Sequence, residues 1–244
     1  MKKIIKELMA EIYYNSFRKF SRVIGNRALI YHAFGSKLKH DTYGISINIK
    51  KFEDHIRHIS DHYKIINIYD SKHIYENTVS VTIDDGYKDN IEAINILSKY
   101  NIPFTLFISP VFLNTEKYLS SDDVKSIALM GNSEIGTHGH THTRLSTLDY
   151  KKQLDELSES KKILESLINS KIDCISYPHG SYNSDTLELV KKTGYRYAAS
   201  SIKGINTSET NDYLLKRIEI ISSDSIKSLD KKIKGYYDYY QIRT

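Results

Sequence analysis

The sequence predicts an α/β domain in which a parallel sheet or barrel is flanked by helices. Seven short apolar runs recur from residue 28 onward, segments of helical period separate them, and clusters of Asp, His and Gly follow three of the runs. Strands alternating with helices indicate parallel β/α units. In such folds the chemistry gathers at the carboxyl ends of the strands. The 244 residues suffice for a sizeable core and suit one large domain more simply than two small ones.

Taken in order, residues 1–24 place Ile5, Leu8, Met9, Ile12, Phe17, Phe20 and Ile24 on or near one helical face, and Gly25-Asn26 supplies a stop. An amphipathic helix is therefore expected over 1–26, ahead of a catalytic domain at 27–244. Its stripe is expected to pack on that domain, as most amphipathic helices do. Strands are expected at 28–31, 79–83, 104–108, 134–137, 174–177, 195–200 and 217–220. Helical spacing predicts helices around 52–62, 90–100, 122–130, 150–168, 185–192 and 225–234. No internal repeat or low-complexity linker interrupts the series.

Composition removes several function classes. Cys174 is the single cysteine, so an intrachain disulfide and a thiolate metal cluster are both excluded, and any metal must be held by His and carboxylates. The net charge of +5 is spread along the chain, with no zinc-finger spacing or RNA-binding signature, so no nucleic-acid partner is expected. No run of about 18 apolar residues occurs to cross a membrane. Lys6, Glu7 and Glu11 interrupt the apolar stretch that a signal peptide would need.

Three clusters carry the chemistry. Val79-Ser-Val-Thr-Ile-Asp-Asp-Gly86 is a strand ending in adjacent carboxylates. Successive strand residues point opposite ways, so Asp84 and Asp85 share a site only through the kink that Gly86 permits. A cation would let both ionise; alone, Asp-Gly also describes an ordinary turn. Glu134-Ile-Gly-Thr-His-Gly-His-Thr-His142 follows another strand. His138 and His142, four apart, reach one metal if the segment turns helically, and a carboxylate would complete a two-His, one-Asp site; His140 has the wrong phase. Ile175-Ser-Tyr-Pro-His-Gly-Ser-Tyr182 is a strand and turn that could aim backbone N–H groups at a developing oxyanion.

Together these clusters resemble the motifs of the polysaccharide deacetylases, carbohydrate esterase family four. Ile83-Asp-Asp-Gly86 looks like the end of Thr-Phe-Asp-Asp-Gly, with Ile83 for Phe. His138 to His142 looks like His-Ser/Thr-x-x-His, with Gly139 for the hydroxyl residue, and Tyr177-Pro-His-Gly180 looks like Tyr-Pro-Tyr-Gly. Tyr31-His32, Ile45-Ser46 before Phe52-Glu53, Asn101-Ile-Pro-Phe-Thr-Leu-Phe107 and Leu215-Lys-Arg-Ile218 extend the match over about residues 27–222 and resemble the poly-N-acetylglucosamine deacetylase-like branch. The resemblance implies a distorted (β/α)7-type barrel, in agreement with the seven strands read above.

The resemblance further implies a metal-dependent hydrolase that removes N-acetyl groups from amino sugars of a polysaccharide or glycan precursor. Asp85, His138 and His142 would hold a divalent ion, zinc first, with cobalt, nickel or iron comparable for this donor set. Asp84 would act as base on water held by that ion. Two departures stand out: no His follows His179, where many members carry a late Leu-x-His general acid, and Ser176 replaces the Arg of the third motif. Arg217 is expected to orient Asp84 by a charge-assisted bond. His32 is the first candidate for the general acid, followed by His179 and protonated Asp84. The alternatives are a deformylase or other amide hydrolase of the same fold acting on a lipid-linked amino sugar, or a non-catalytic glycan-binding module. A cytoplasmic location is expected, peripheral at most to the inner face of the membrane through residues 1–24, whose Lys and Arg flank the apolar stripe.

Overall fold

A computed structural model describes residues 2–21, 23–72 and 76–239. Seven parallel strands form one sheet path, in the order β7-β6-β5-β4-β3-β1-β8. These are β1 (Asn26–Tyr31), β3 (Thr78–Ile83), β4 (Phe104–Ile108), β5 (Ser133–Thr137), β6 (Cys174–Ser176), β7 (Tyr197–Ala199) and β8 (Arg217–Glu219). A two-residue β2 (Lys64–Ile65), absent from the sequence expectation, adds to β3. It is too short for any periodicity to reveal. Ala199 bridges Leu215 in parallel, and the N–H groups of Ser200 and Leu215 bond to the Leu215 and Ala198 carbonyls at 2.8 and 3.0 Å. The two ends of the sheet thereby meet, and the result is a nearly closed barrel.

Helices α2 (Ile49–His62), α3 (Asn90–Lys99), α4 (Ser121–Ala128), α5 (Tyr150–Ile168), α6 (Ser184–Lys192) and α7 (Ile226–Lys234) follow the expected segments. Their starts are chemically marked. Asn48, Ser120, Asp149, Asn183 and Ser225 each accept a backbone N–H of the first turn through the side chain.

Side chains alternate across the barrel wall. Val79, Val81 and Ile83 of β3 and Phe104, Leu106 and Ile108 of β4 join the large apolar cluster that also takes in the helices. The intervening Ser80, Thr82, Thr105 and Phe107 are buried on the other face, toward the barrel interior. Both faces are covered, which explains why β1 and β3 are buried along their whole length.

The N-terminal helix departs from expectation. Helix α1 spans Lys2–Ser16 and gives way to a 3-10 turn at Arg18–Phe20, so it ends well before Gly25. Its aliphatic stripe does not pack on the barrel either: Ile5, Leu8, Met9 and Ile12 are exposed, whereas Ala10 is fully buried. The contacts that hold α1 are polar and aromatic. Glu7 and Glu11 both reach Lys231 Nζ at 2.9 Å, and Tyr14 stacks on Tyr236 with ring centroids 3.7 Å apart. No described helix is long and apolar enough to cross a membrane.

Candidate active site

The site assembles at the carboxyl ends of the strands. Asp84 N–H donates to the Tyr31 carbonyl at 2.9 Å, extending the strand pairing by one residue. The Asp84 side chain therefore keeps the inward phase of Ser80 and Thr82. Asp85 and Gly86 then both adopt left-handed backbone, with φ of 76° and 73°. That kink, starting one residue earlier than the glycine, turns the second carboxylate into the same cleft.

Residues 138–144 do not continue helically after β5, contrary to the spacing argument. Left-handed turns at Gly139 (φ 66°) and His142 (φ 60°) bring the two imidazoles together instead, with ring centroids 4.8 Å apart. Glu156 of α5 holds this loop. Its carboxylate accepts the His140 and Thr141 N–H groups at 2.8 and 2.9 Å and the Thr141 hydroxyl at 2.5 Å. Nothing local in the sequence marked Glu156, which lies on a helix among other acidic residues. His140 presents only its backbone to this network.

Asp85 Oδ1 lies 3.1 Å from His142 Nε2 and 3.4 Å from His138 Nε2. One ligand atom from each of Asp85, His138 and His142 falls within 4.8 Å of the others. His138 Nδ1 donates to the Ser176 carbonyl at 2.8 Å, which leaves the Nε2 lone pair facing Asp85. Two imidazole nitrogens and one carboxylate suit a borderline divalent ion, so the three residues fit the metal that the donor set suggests. Burial would raise the Asp85 pKa, but with no ion bound, hydrogen bonds from the protonated rings of His138 and His142 outweigh it and hold the carboxyl well below the usual range.

Asp84 has a different set of partners. Arg217 Nη1 and Nη2 grip its two oxygens at 2.7 and 2.8 Å. The remaining guanidinium N–H groups reach Ser200 O, Thr82 Oγ1 and Ser176 Oγ at 3.0, 3.0 and 2.6 Å. All five donors are therefore used. Arg217 is 1% exposed and lies beneath the cleft, inside the barrel. Burial pushes the Asp84 pKa up, and the charge of Arg217, followed by that of His138, brings it below the ordinary carboxylate value.

The cleft above measures about 460 Å³ and is lined by His32, Asp84, Asp85, His138, His142 and His179 among others. Six of the seven residues given roles from sequence thus line one cavity, and the seventh, Arg217, supports it from below. His179 has φ 56°, and its ring packs 4.5 Å from that of His142. Burial and the neighbouring His142 lower its pKa. His32 enters from the end of β1 with its Nδ1 buried and without a hydrogen-bond partner.

Residues 72–198 match the family model for polysaccharide deacetylase. The chain belongs to that family.

Among curated relatives of this polysaccharide deacetylase, YxkH of Bacillus subtilis is 30% identical over 203 residues, covering 79% of this chain and 70% of that protein. The poly-beta-1,6-N-acetyl-D-glucosamine N-deacetylase of Staphylococcus aureus is 28% identical over 214 residues, covering 79% and 73%. A crystal structure of a polysaccharide deacetylase from Bacillus cereus superposes with a TM-score of 0.76 at 23% identity, covering 86% of this chain and 69% of that one. The shared architecture is the nearly closed barrel.

Two of the deacetylase's differences from the family motifs, Ser176 and Gly139, have local structural reasons. Ser176 Oγ donates to Asp84 Oδ2 at 3.1 Å and accepts from Arg217, so a second guanidinium at 176 would crowd the first. A side chain at Gly139 would place its Cβ 3.0 Å from Pro178 and 3.2 Å from Glu156 Oε2, on left-handed backbone.

Proposed function

We propose that this deacetylase hydrolyses N-acetyl groups of amino sugars in a polysaccharide or glycan precursor, with Asp84 as base and a divalent ion on Asp85, His138 and His142. The observation that carries the reading is the division between two adjacent carboxylates. Asp85 faces two imidazoles, whereas Asp84 is gripped bidentately by Arg217 and stands 3.9 Å from His138 Nε2. One is disposed as a ligand and its neighbour as a base.

An ion bound there, zinc first, supplies Lewis-acid polarisation of the amide carbonyl and acidifies water. Asp84, held ionised by Arg217, accepts the proton of the attacking water. Arg217 fixes the carboxylate plane, since a bidentate pair restrains both oxygens. The Tyr177–Gly180 turn offers backbone N–H to the oxygen that gains charge as water adds to the carbonyl. The C–N bond then breaks, and His32 gives a proton to the departing amine. His179 is the second candidate for that proton. Support for an N-acetylglucosamine substrate comes from the Staphylococcus aureus relative, which bears that activity in its name.

The test is acetate release from N-acetylglucosamine oligosaccharides by the purified chain, before and after chelation and after return of zinc. Acetate that disappears on chelation and returns with the ion is expected. Formate release from N-formyl sugars without acetate release would move the reading to a deformylase. Saccharide binding with no acyl release under any ion would make it a binding module.

A further inference from the structure

Helix α1 turns outward the side that sequence periodicity would bury. Ile5, Leu8, Met9 and Ile12, spaced i, i+3, i+4 and i+7, are 52, 60, 36 and 56% exposed. Phe17 and Phe20 beyond them are 68 and 73% exposed. At 100° per residue these four aliphatic positions stand opposite Ala10 and Tyr14, which pack inward. The helix is therefore held through one face while a continuous apolar strip faces solvent.

Charge is sorted along with polarity. The acidic residues Glu7 and Glu11 are only partly exposed and both engage Lys231, while Tyr237 donates to Glu7 at 2.7 Å. Arg18 is likewise turned in, toward Asp238. Among the described residues from 5 to 24, every exposed side chain is apolar, neutral polar or basic, and Lys6 and Lys19 are the basic ones. An apolar strip with a basic border, its two neighbouring acids both paired with Lys231 on the opposite side of the helix, is complementary to an anionic bilayer surface. A second copy of a chain with net charge +5 offers no such match to the basic border.

The inner flank of α1, not the strip, comes near the cleft. Lys6 borders a small cavity of about 130 Å³ together with Tyr43, Lys203 and Glu219, and the last three also line the main cleft.

We propose that α1 and the turn at Arg18–Phe20 dock the protein on an anionic lipid surface. Ile5, Leu8, Met9, Ile12, Phe17 and Phe20 enter the headgroup–acyl boundary, and Lys6 and Lys19 meet lipid phosphates. This proposal stands apart from the assignment of the base and the metal ligands.

Co-sedimentation of the full chain with phosphatidylcholine vesicles, with and without phosphatidylglycerol, tests it. Binding to the anionic vesicles, weakened by salt, is expected, with little binding to phosphatidylcholine alone. Replacing Leu8 and Ile12 by Gln and Phe20 by Ser should weaken binding by about tenfold or more. The same variant should keep its far-UV circular dichroism and its acetate release from soluble oligosaccharide, since none of the three side chains packs on the barrel. Lys6→Gln with Lys19→Gln should weaken binding to anionic vesicles and not to neutral ones. Full-length protein that ignores phosphatidylglycerol vesicles overturns the proposal. So does a dimer, seen by light scattering, that the Leu8, Ile12 and Phe20 replacements dissolve, because a second copy would then own the face.

Discussion

Arg217→Lys separates charge from geometry at Asp84. The arginine makes five hydrogen bonds, two to Asp84 and one each to Ser200, Thr82 and Ser176. Lysine keeps the charge but carries three donors on a single nitrogen, so at least two of those bonds are lost. Each net bond is worth about 1 kcal/mol, and more where the acceptor is charged, which gives a loss of about 2–4 kcal/mol of stability. For a chain of this length that is roughly 4–16 °C in Tm. A carboxylate no longer gripped bidentately can shift by the order of 1 Å, which costs about 100-fold in turnover. Metal content should be unchanged, because Arg217 bonds to none of Asp85, His138 and His142. Arg217→Met adds the charge effect. Its Asp84 is a buried carboxylate without its cation, a loss of about 3–5 kcal/mol. The sign for pH follows from the direction of the shift. Asp84 is held below its ordinary value in the folded protein, so the stabilisation by the pair is present above the unfolded carboxylate range and is lost as pH falls through the folded value. Removing Arg217 lets that value rise, and the acid limb of the rate profile moves to higher pH in Arg217→Met. Thermal melts, metal analysis and acetate-release profiles read all three quantities. Wild-type turnover in Arg217→Lys, or a pH profile unmoved in Arg217→Met, would refute the reasoning.

Asp85→Ala, His138→Ala and His142→Ala are each expected to lose bound ion and activity, whereas Asp84→Asn keeps the ion and loses turnover; metal analysis of Asp84→Asn found empty would reverse the assignment. Glu156→Ala leaves the His140 and Thr141 N–H groups without their acceptor and loosens the left-handed loop, lowering metal affinity by about 10- to 100-fold. Titration with zinc measures it, and an unchanged affinity shows that the loop holds itself. His32→Ala is expected to lower turnover by about 100-fold or more with the ion retained. A full rate in that variant passes the proton-donor role to His179.

The apolar runs and helical spacings determined the β/α alternation, because each strand must keep apolar side chains on the face that meets the helices, with small polar ones tolerated inside the barrel, and a helix on one face must repeat near 3.6. The strand-end clusters Asp84-Asp85-Gly86 and His138 to His142 were legible for the same reason: a parallel sheet puts every carboxyl end on one side, so polar residues just past apolar runs converge without any knowledge of strand order. Strand order itself, the meeting of β7 with the segment before β8, and the 133-residue separation closed by Arg217 and Asp84 came only from the fold. Long-range pairing leaves no periodic mark on either partner. Glu156 was invisible because one buried acid on a helix resembles its solvated neighbours until the loop it holds is in place. The His138 to His142 spacing pointed to a helical turn, and left-handed backbone at Gly139 and His142 produced the same convergence by another route. For α1, periodicity established that a stripe exists and could not say which way it faces. Glu7, Glu11 and Tyr14 bind Lys231 and Tyr236 more than two hundred residues along the chain, and those contacts turned the aliphatic side outward.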